Sequence, residues 1–369
     1  MKRPYKICTR CVMDTSDEDI YFDSSGFCNH CNRHHFMSAR FGYRRHESDY
    51  KLAELVKKIK YDSRKRDYDC VVGVSGGVDS SYVAMICKEI GFRALLVHFD
   101  NGWNSEVAVS NINKIVRRLD YDYITEVVDW PSFRDVQLSI LRSGSVDLEY
   151  PTDLGIFKTV MEAARKNHIK YVISGTNLAS EGMLPLTWGY HRYRDVRYFQ
   201  AIVGSYVKKL SYIPHYSLLE ETILRVRYRI QTIALLNFIS FSRDLAKEQL
   251  ADRLGWSDYG GKHAESRITA FWQGYVMNKR FGFDYRRPTL SAEICSGLRS
   301  RDDALSILEV APIVEGDFDE TNRFVAKKFG LSMAELSELI HIPPKTYKDF
   351  PNSKALIDFV HATYRRIFQ

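Results

Sequence analysis

The 369-residue sequence predicts an α/β protein with a doubly wound, mainly parallel sheet, an N-terminal metal-binding module and a helical C-terminal region. Three observations predict this class. Short apolar runs alternate with helical patterns between residues 67 and 215, as in βαβ units. Four cysteines fall within the first 31 residues. The remainder of the chain reads as mostly helical. We therefore divide the chain into a cysteine module (1–35), a basic helical linker (36–66), the α/β domain (67–215) and a helical region completing the substrate site (216–369).

Composition and charge limit the class of protein. With 45% hydrophobic and 27% charged residues, the chain has an ordinary globular composition, which excludes disorder, collagen repeats and a coiled-coil rod. The net charge of +7 equals the local excess between Arg33 and Arg66, so the rest of the chain sums to neutral. This basic stretch indicates either an anionic partner or a solvated helix surface, and both interpretations stay open.

The sequence predicts a cytoplasmic location. Its longest apolar run, residues 230–241, is shorter than the ~20 residues of a membrane-spanning helix, so we expect no membrane span. No apolar segment follows the basic N-terminus, which argues against a signal peptide. In a reducing compartment, the seven cysteines are then expected to be metal ligands or buried thiols rather than disulfides.

The first four cysteines form two C-x2-C pairs separated by sixteen residues; they are Cys8, Cys11, Cys28 and Cys31. This spacing is typical of a closed tetrahedral zinc site with a structural role. An iron–sulfur cluster and four unrelated buried thiols are the alternatives. Cys70, Cys87 and Cys295 stand alone in the sequence, and we interpret Cys70 and Cys87 as buried apolar residues.

A glycine-rich turn follows the first apolar run. Residues 69–74 predict a buried parallel strand, and residues 75–81, Ser-Gly-Gly-Val-Asp-Ser-Ser, lead into a helix. A strand, a glycine-rich turn and a helix N-terminus form a phosphate-binding arrangement, because free N–H groups and the helix dipole favour negative charge. A carboxylate at Asp79 fits this anion site if it holds Mg2+ against the phosphates.

This turn resembles the fingerprint of the PP-loop ATP pyrophosphatases, a HUP-like group of adenine nucleotide alpha hydrolases that cleave ATP to AMP and pyrophosphate. The resemblance implies ATP and Mg2+ as cofactors. It also implies nucleotide-binding roles for Ser75, Gly76, Gly77, Val78, Asp79 and Ser80.

Two further strand ends are expected at the same crevice, because ligands gather at the carboxyl ends of strands in doubly wound sheets. The candidate residues for binding adenine and ribose lie at the end of the strand at residues 93–99 and in the loop behind it. They are His98, Phe99, Asp100 and Asn101. The strand at 170–174 is followed by the candidates for the phosphates, Gly175, Thr176 and Asn177. Ser180 and Glu181 lie in the same loop and are candidate substrate contacts.

The substrate side is less well defined by sequence. Asp153 either favours a helix start or faces the crevice. Residues 188–194 mix aromatic and basic side chains and are either a substrate loop, through Trp188, His191 and Arg192, or a plain surface loop. Residues 260–267 begin a helix with basic residues in its first turns. We expect the catalytic residues Lys262, Glu265 and Arg267 there, with Lys262 stabilising pyrophosphate or an adenylate oxyanion.

The combination of motifs resembles the N-acetyl sugar amidotransferases, the WbpG/PseA-like proteins of bacterial surface polysaccharide synthesis. The resemblance rests on residues 8–17, 26–31 and 262–267. It implies that ATP adenylates the acetamido oxygen of a nucleotide-linked sugar, such as a UDP-diacetamido-uronic acid of O-antigen. Ammonia then replaces AMP and leaves an acetamidino group.

The resemblance also implies partners. The chain shows no glutaminase nucleophile, so ammonia is expected from a separate glutaminase with a cyclase-like barrel subunit, similar to imidazole glycerol phosphate synthase. The basic stretch between Arg33 and Arg66 would dock that partner. The alternative is a tRNA-thiolating PP-loop enzyme, which would need cysteines near the ATP. Nucleic acid is otherwise not expected as a partner.

Overall fold

Five strands form one parallel sheet at the centre of the protein. They are β1 (Cys70–Gly73), β2 (Ala94–Asp100), β3 (Tyr123–Val127), β4 (Tyr171–Ser174) and β5 (Gln231–Ala234). Their order is β3-β2-β1-β4-β5, and every neighbouring pair is parallel. The strand order reverses between β1 and β4, so a crevice is expected at their carboxyl ends. The predicted doubly wound sheet is confirmed.

The computed structural model describes residues 3–41, 46–189, 195–204, 217–260, 265–312 and 318–368. Its helices are α1 (Asn29–Phe41), α2 (His46–Ser63), α3 (Val78–Glu89), α4 (Glu106–Leu119), α5 (Trp130–Ser143), α6 (Tyr150–Lys166), α7 (Leu178–Glu181), α8 (Val196–Val203), α9 (Leu218–Val226), α10 (Arg243–Leu254), α11 (Arg267–Phe271), α12 (Met277–Phe281), α13 (Arg286–Cys295), α14 (Arg301–Glu309), α15 (Asp319–Phe329), α16 (Met333–Ile340) and α17 (Lys354–Phe368). A π-helical turn, Trp272–Val276, joins α11 to α12. None of the helices in the described ranges is long and apolar enough to cross a membrane.

Both faces of the sheet are covered by helices. Along β1, Val71 packs into the core under α5 and α6, while Cys70 and Val72 pack into the core under α3, α4 and α10. This alternation follows from the two-residue period of a strand. Burial on both faces explains why β1 and β2 read as continuous apolar runs rather than as alternating patterns.

The strand β5 was not predicted, because residues 217–245 were expected to be mostly helical. It pairs with β4 at the edge of the sheet, where Tyr171 aligns with Gln231. Its first two residues are exposed, so the segment lacks the burial signature of the inner strands. The apolar run that contains it continues into a 3-10 turn, Leu235–Phe238, and periodicity alone does not separate a short strand from a helix there.

The cysteine module is a small unit with little regular structure. Two antiparallel bridges, Ile7 with Asp14 and Phe22 with Cys28, are its only strand-like pairings in the described residues. Gly26, at φ 81°, makes a turn within the second bridge, between Phe22 and Cys28. The four cysteines pack with Met183 and with Ala292 of α13. The module is therefore attached both to the loop behind β4 and to the C-terminal region.

Candidate active site

The glycine-rich turn at residues 75–81, here called the phosphate loop, lies between β1 and the first turn of α3, as predicted. Gly76 adopts φ 78°, a left-handed conformation that glycine tolerates best. A Cβ at this position would also clash with the backbone carbonyl of Ala108 in α4. Gly76 is therefore required by the shape of the turn, and its carbonyl accepts a hydrogen bond from Trp256 Nε1 at 3.0 Å.

The N–H groups of this loop are held by hydroxyl oxygens. Ser75 N–H donates to Ser80 Oγ at 3.1 Å, and Gly77 N–H donates to Ser75 Oγ at 3.3 Å. Val78 N–H donates to the hydroxyl of Tyr259 at 3.1 Å. Burial raises the pKa of Tyr259, so its phenol is neutral at physiological pH. Charge-assisted hydrogen bonds are stronger than hydrogen bonds to neutral hydroxyls. These N–H groups would therefore exchange their hydroxyl partners for a charged acceptor.

A cleft of about 490 Å³ opens at the carboxyl ends of β1, β2 and β4. It brings together most of the residues that the sequence predicted. The predicted residues that line it are Ser75, Gly77, Val78, Asp79, Ser80, His98, Phe99, Asn101, Asp153, Gly175, Thr176, Glu181 and Glu265. The three predicted loops thus form one site.

The loop behind β4 meets the phosphate loop directly. Asn177 Nδ2 donates to Asp79 Oδ2 at 3.2 Å. A Cβ on Gly175 would stand 3.1 Å from the backbone carbon of Asp79. Asn177 also caps α7, because its side chain accepts from Ser180 N–H at 2.9 Å. These contacts set the orientation of the Asp79 carboxylate at the N-terminus of α3.

Arg243 supplies positive charge to the cleft, and the sequence analysis did not identify it. Burial opposes the charge of its guanidinium, but Asp79, Tyr259, Glu265 and Glu181 outweigh that effect and raise the pKa of Arg243. It is the first residue of α10, which packs against α3. No motif surrounds it, so only the packing of these two helices reveals its position.

The predicted adenine and ribose region combines a histidine with apolar walls. His98 Nδ1 donates to the carbonyl of Val74 at 2.8 Å, and its Nε2 accepts from Asn104 Nδ2 at 2.9 Å. Burial lowers the pKa of His98, which keeps the ring neutral. Phe157 and Val160 of α6 line the same part of the cleft, and such a slot suits a flat aromatic base.

A group of carboxylates lies at the N-terminus of α6, the helix that also carries Phe157 and Val160. Glu149 accepts hydrogen bonds of 2.6 Å from Thr269 Oγ1 and from Gln273 Nε2. Asp153 Oδ2 is shut off from solvent and has no hydrogen-bond partner in the described residues. Burial, together with the charges of Glu149, Asp147 and Glu181, raises the pKa of Asp153 well above its usual range. Of the two interpretations of Asp153, the structure supports the one in which it faces the crevice.

Several predicted residues lie away from the cleft. Trp188 is fully buried and stacks on Phe283 with 4.6 Å between ring centroids, so it is a core residue and not the expected substrate contact. Arg267 lies over the ring of Phe324 and 3.6 Å from Glu320, which directs it toward α15 instead of the reaction site.

Three predicted residues support the cleft without lining it. Gly76 forms the turn, and Ser180 is buried beneath Asn177. Asp100 accepts a hydrogen bond from Gly102 N–H at 2.8 Å and shapes the loop after β2. The predicted residues Lys262, His191 and Arg192 lie outside the described residues.

The four cysteines of the N-terminal module form one buried cluster. Their sulfur atoms all lie within 4.8 Å of one another. The Sγ–Sγ distances are 3.8 Å for Cys8–Cys31 and 3.6 Å for both Cys11–Cys28 and Cys28–Cys31. A tetrahedral zinc with Zn–S bonds of about 2.3 Å would place its sulfurs roughly 3.8 Å apart. The donor set therefore fits a single tetrahedral ion.

Two further side chains lie near this cluster. Cys295, which stands alone in the sequence, lies with its sulfur 3.7 Å from Cys31 Sγ, because α13 packs against α1. His30, which the sequence places beside the cysteines, pairs instead with Asp17 at 2.6 Å.

The module also holds the loop that carries the cleft residues. Arg33 donates to the carbonyls of Gly182 at 3.4 Å and Leu184 at 3.3 Å. His34 Nε2 lies 3.0 Å from the carbonyl of Leu178. Arg33, the first residue of the basic stretch, is thus engaged in hydrogen bonds within the protein, at its surface.

Comparisons with known proteins give one family match. Residues 265–364 match the family described as "LPS biosynthesis protein WbpG-like, C-terminal domain", which confirms the predicted resemblance. No curated protein matches the chain.

Two solved structures of nucleotide-related proteins show limited similarity. A predicted subunit of tRNA methyltransferase from Methanocaldococcus jannaschii has 21% identity and a TM-score of 0.29, over 48% of this chain and 74% of that chain. NMN synthetase from Francisella tularensis has 12% identity and a TM-score of 0.29, over 61% and 91%. At these TM-scores the fold assignment rests on the strand order and the phosphate loop described above.

Proposed function

We propose that this chain, with its phosphate loop and WbpG-like C-terminal region, is a cytoplasmic ATP-dependent amidotransferase that acts on a nucleotide-linked sugar. It would convert an acetamido group, of a UDP-diacetamido-uronic acid in the first instance, to an acetamidino group and release AMP and pyrophosphate. This reaction would belong to the synthesis of lipopolysaccharide O-antigen or a related surface glycan.

One observation carries the proposal. The cleft combines the phosphate loop of the α/β domain with Glu265, Ser266, Thr269 and Gln273, and these four residues fall within the WbpG-like segment. The proposed ATP site and a wall from the WbpG-like segment would therefore share one space. Two backbone hydrogen bonds connect the α/β domain to this segment. Ser105 N–H donates to the Glu265 carbonyl at 2.8 Å, and Arg267 N–H donates to the Trp103 carbonyl at 2.9 Å.

The residues of the cleft suggest the order of events. An unactivated amide is a poor electrophile, so its oxygen first attacks the α-phosphorus of ATP and displaces pyrophosphate. Loop N–H groups and Arg243 would stabilise the charge that develops on the phosphates. Ammonia then adds to the amide carbon, a proton is lost, and AMP leaves with the former amide oxygen. Glu149, which lines the same cleft, would receive that proton.

Two metal ions fit the donors present. Asp79, oriented by Asn177, would hold Mg2+, which supplies charge neutralisation for the pyrophosphate. The four-cysteine cluster would hold zinc, which supplies stability to a module with little core of its own.

The position of the cysteines favours this proposal over tRNA thiolation. A thiolating enzyme needs a reactive sulfur beside the ATP. None of the described residues that line the cleft is a cysteine. Cys70 and Cys87 are buried beneath the sheet, and Cys295 lies at the metal cluster.

The direct test supplies ATP, Mg2+, ammonium and a UDP-diacetamido-uronic acid. The expected products are AMP, pyrophosphate and a sugar nucleotide whose mass has changed by the replacement of O with NH. Mass spectrometry and a pyrophosphate assay measure them together. Formation of ADP, or of AMP without any change in the sugar, would contradict the proposed reaction.

We also propose that ammonia comes from a separate glutaminase with a cyclase-like barrel subunit, docked on the basic stretch. Lys57 and Lys58 are exposed on α2, whereas Arg44 and Arg45 lie outside the described residues. Charge reversal at these four positions should reduce glutamine-dependent turnover and spare ammonium-dependent turnover. Equal loss of both activities would exclude docking as their role.

A further inference from the structure

A second cavity of about 260 Å³ lies in the C-terminal region, next to the cleft. The residues that line it are Gln273, Gly274, Asn278, Phe283, Asp284, Tyr285, Arg286, Thr289, Leu290, Ile307 and Pro312. Gln273 lines both this cavity and the active-site cleft. The two spaces therefore share a wall at one side chain.

The backbone at this wall departs from a regular helix. Gln273 and Gly274 lie in the π-helical turn between α11 and α12, and π turns occur frequently at functional sites. Gln273 is 9% exposed and donates to Glu149 Oε2 at 2.6 Å. A Cβ on Gly274 would stand 2.9 Å from the ring of Phe318. These contacts determine where the Gln273 carboxamide stands between the two spaces.

The chemistry of the cavity is amphipathic and close to neutral. Phe283, Leu290 and Ile307 give it apolar walls, while Asn278 and Gln273 add carboxamides. Arg286 pairs with Asp284 at 2.7 Å and donates to the carbonyl of Ile307 at 3.1 Å, so its charge is largely neutralised. Such a lining disfavours a phosphate group. It suits a ligand with apolar faces and a few amide groups.

We propose that this cavity is the subsite for the acetamido-bearing sugar of the acceptor. This inference rests on the proposed function and assigns the space that the acceptor occupies. The methyl groups and C–H faces of the sugar would pack on the apolar walls, and Asn278 would hydrogen-bond one amide. The reacting acetamido group would then extend past Gln273 into the cleft, where the phosphate loop holds ATP.

Two variants test the subsite, each with a matched control. Asn278→Ala removes the carboxamide, and Lys279→Ala removes an exposed neighbour on the same helix, α12. Ile307→Trp fills the cavity from α14, and Ser306→Trp adds the same bulk to an exposed position that does not line it. We expect the KM for the sugar nucleotide to rise about tenfold in Asn278→Ala, the effect of one unmade hydrogen bond. Ile307→Trp should raise it further, and the KM for ATP should stay unchanged.

Direct binding gives a readout that does not depend on turnover. UDP-N-acetylglucosamine is the probe, titrated by calorimetry against the wild type and the four variants. Weaker binding in Asn278→Ala and Ile307→Trp, with both controls like the wild type, supports the subsite. This holds even if no acetamido group is converted, and in that case only the proposed function fails. Normal sugar KM and normal probe binding in both cavity variants overturn the subsite while leaving the reaction intact. A rise in the KM for ammonium alone would also overturn it and would assign the cavity to the ammonia route.

Discussion

The carboxylate of Glu265 lies against the backbone of Gly77, so closely that a Cβ on Gly77 would stand 2.8 Å from Glu265 Oε1. This contact joins the phosphate loop to the WbpG-like region. Glu265 also lowers the local potential around Arg243 and so contributes to its raised pKa. Gly77 and Glu265 are 188 positions apart in the chain, and only the tertiary fold brings them together.

The two glycines of the phosphate loop should respond differently to alanine. Gly76→Ala places a side chain in a left-handed conformation, which costs about 1–2 kcal/mol, and drives it into the Ala108 carbonyl. It should lower the free energy of unfolding by more than that amount. Gly77→Ala meets the end of the Glu265 side chain and, at 3.2 Å, the Ser75 Oγ, so it should cost less stability than Gly76→Ala but displace Glu265 and reduce turnover.

Urea denaturation and pyrophosphate release measure the two effects. Gly255→Ala is the control, because its φ is 63° but nothing lies within 4 Å of the added Cβ. It should show the conformational cost without the clash. Equal losses of stability at positions 76 and 255 would contradict the predicted role of the Ala108 contact.

Removal of the Asp79 carboxylate should stop the reaction. Asp79→Asn keeps the shape of the side chain but removes the charge expected to hold Mg2+, and turnover should fall at least about a hundredfold. The measurement is pyrophosphate release at saturating ATP. Asp129→Asn is a suitable control, because Asp129 caps α5 after the edge strand β3 and Asn caps a helix equally well. Full activity in Asp79→Asn would remove this carboxylate from the mechanism.

Replacement of Asp153 should stabilise the protein in a pH-dependent way. The pKa of Asp153 is raised in the folded state, so folding favours its protonated form. Its contribution to stability is fully present below the unfolded pKa of about 3.9 and is lost as pH rises through the folded value. Asp153→Asn should therefore raise the free energy of unfolding, by on the order of 1 kcal/mol at pH 8 and by less at pH 5. Urea titrations at the two pH values decide this, and an identical gain at both would show that the charge is not responsible.

Loss of the metal should disturb the active-site loop as well as the cysteine module. Cys28→Ser removes one of four thiolates, and a structural zinc contributes directly to folding. The loop behind β4 depends on Arg33 and His34 of the same module. We therefore expect a lower melting temperature, less bound zinc and weaker ATP binding, measured by thermal unfolding, metal analysis and calorimetry.

Cys295→Ser is the matched control for that experiment. Its sulfur is near Cys31, but it is not one of the four that lie within 4.8 Å of one another. This variant should keep one zinc per chain. A loss of zinc equal to that in Cys28→Ser would make Cys295 a ligand.

The parts of this protein whose chemistry depends on residues close together in the chain could be predicted from local sequence. The phosphate loop is one contiguous segment between a strand and a helix, so its glycines, its N–H donors and Asp79 could be predicted. The two C-x2-C pairs likewise present their thiolates through short turns. The inner strands β1, β2 and β4 could be predicted because burial on both faces leaves a continuous apolar run.

Long-range packing decided the rest. Arg243 reaches the cleft because α10 packs on α3, and Cys295 reaches the four-cysteine cluster because α13 packs on α1. Trp188 and Arg267 have side chains that suit a substrate site, but the structure places both away from the cleft. Trp188 stacks on Phe283, and Arg267 pairs with Glu320. The edge strand β5 is defined by its pairing with β4 and not by its own pattern. By itself the sequence determined the type of chemistry, because that resides in short motifs. The tertiary structure decided which distant side chains share the cleft, because contacts between elements far apart in the chain leave no local pattern.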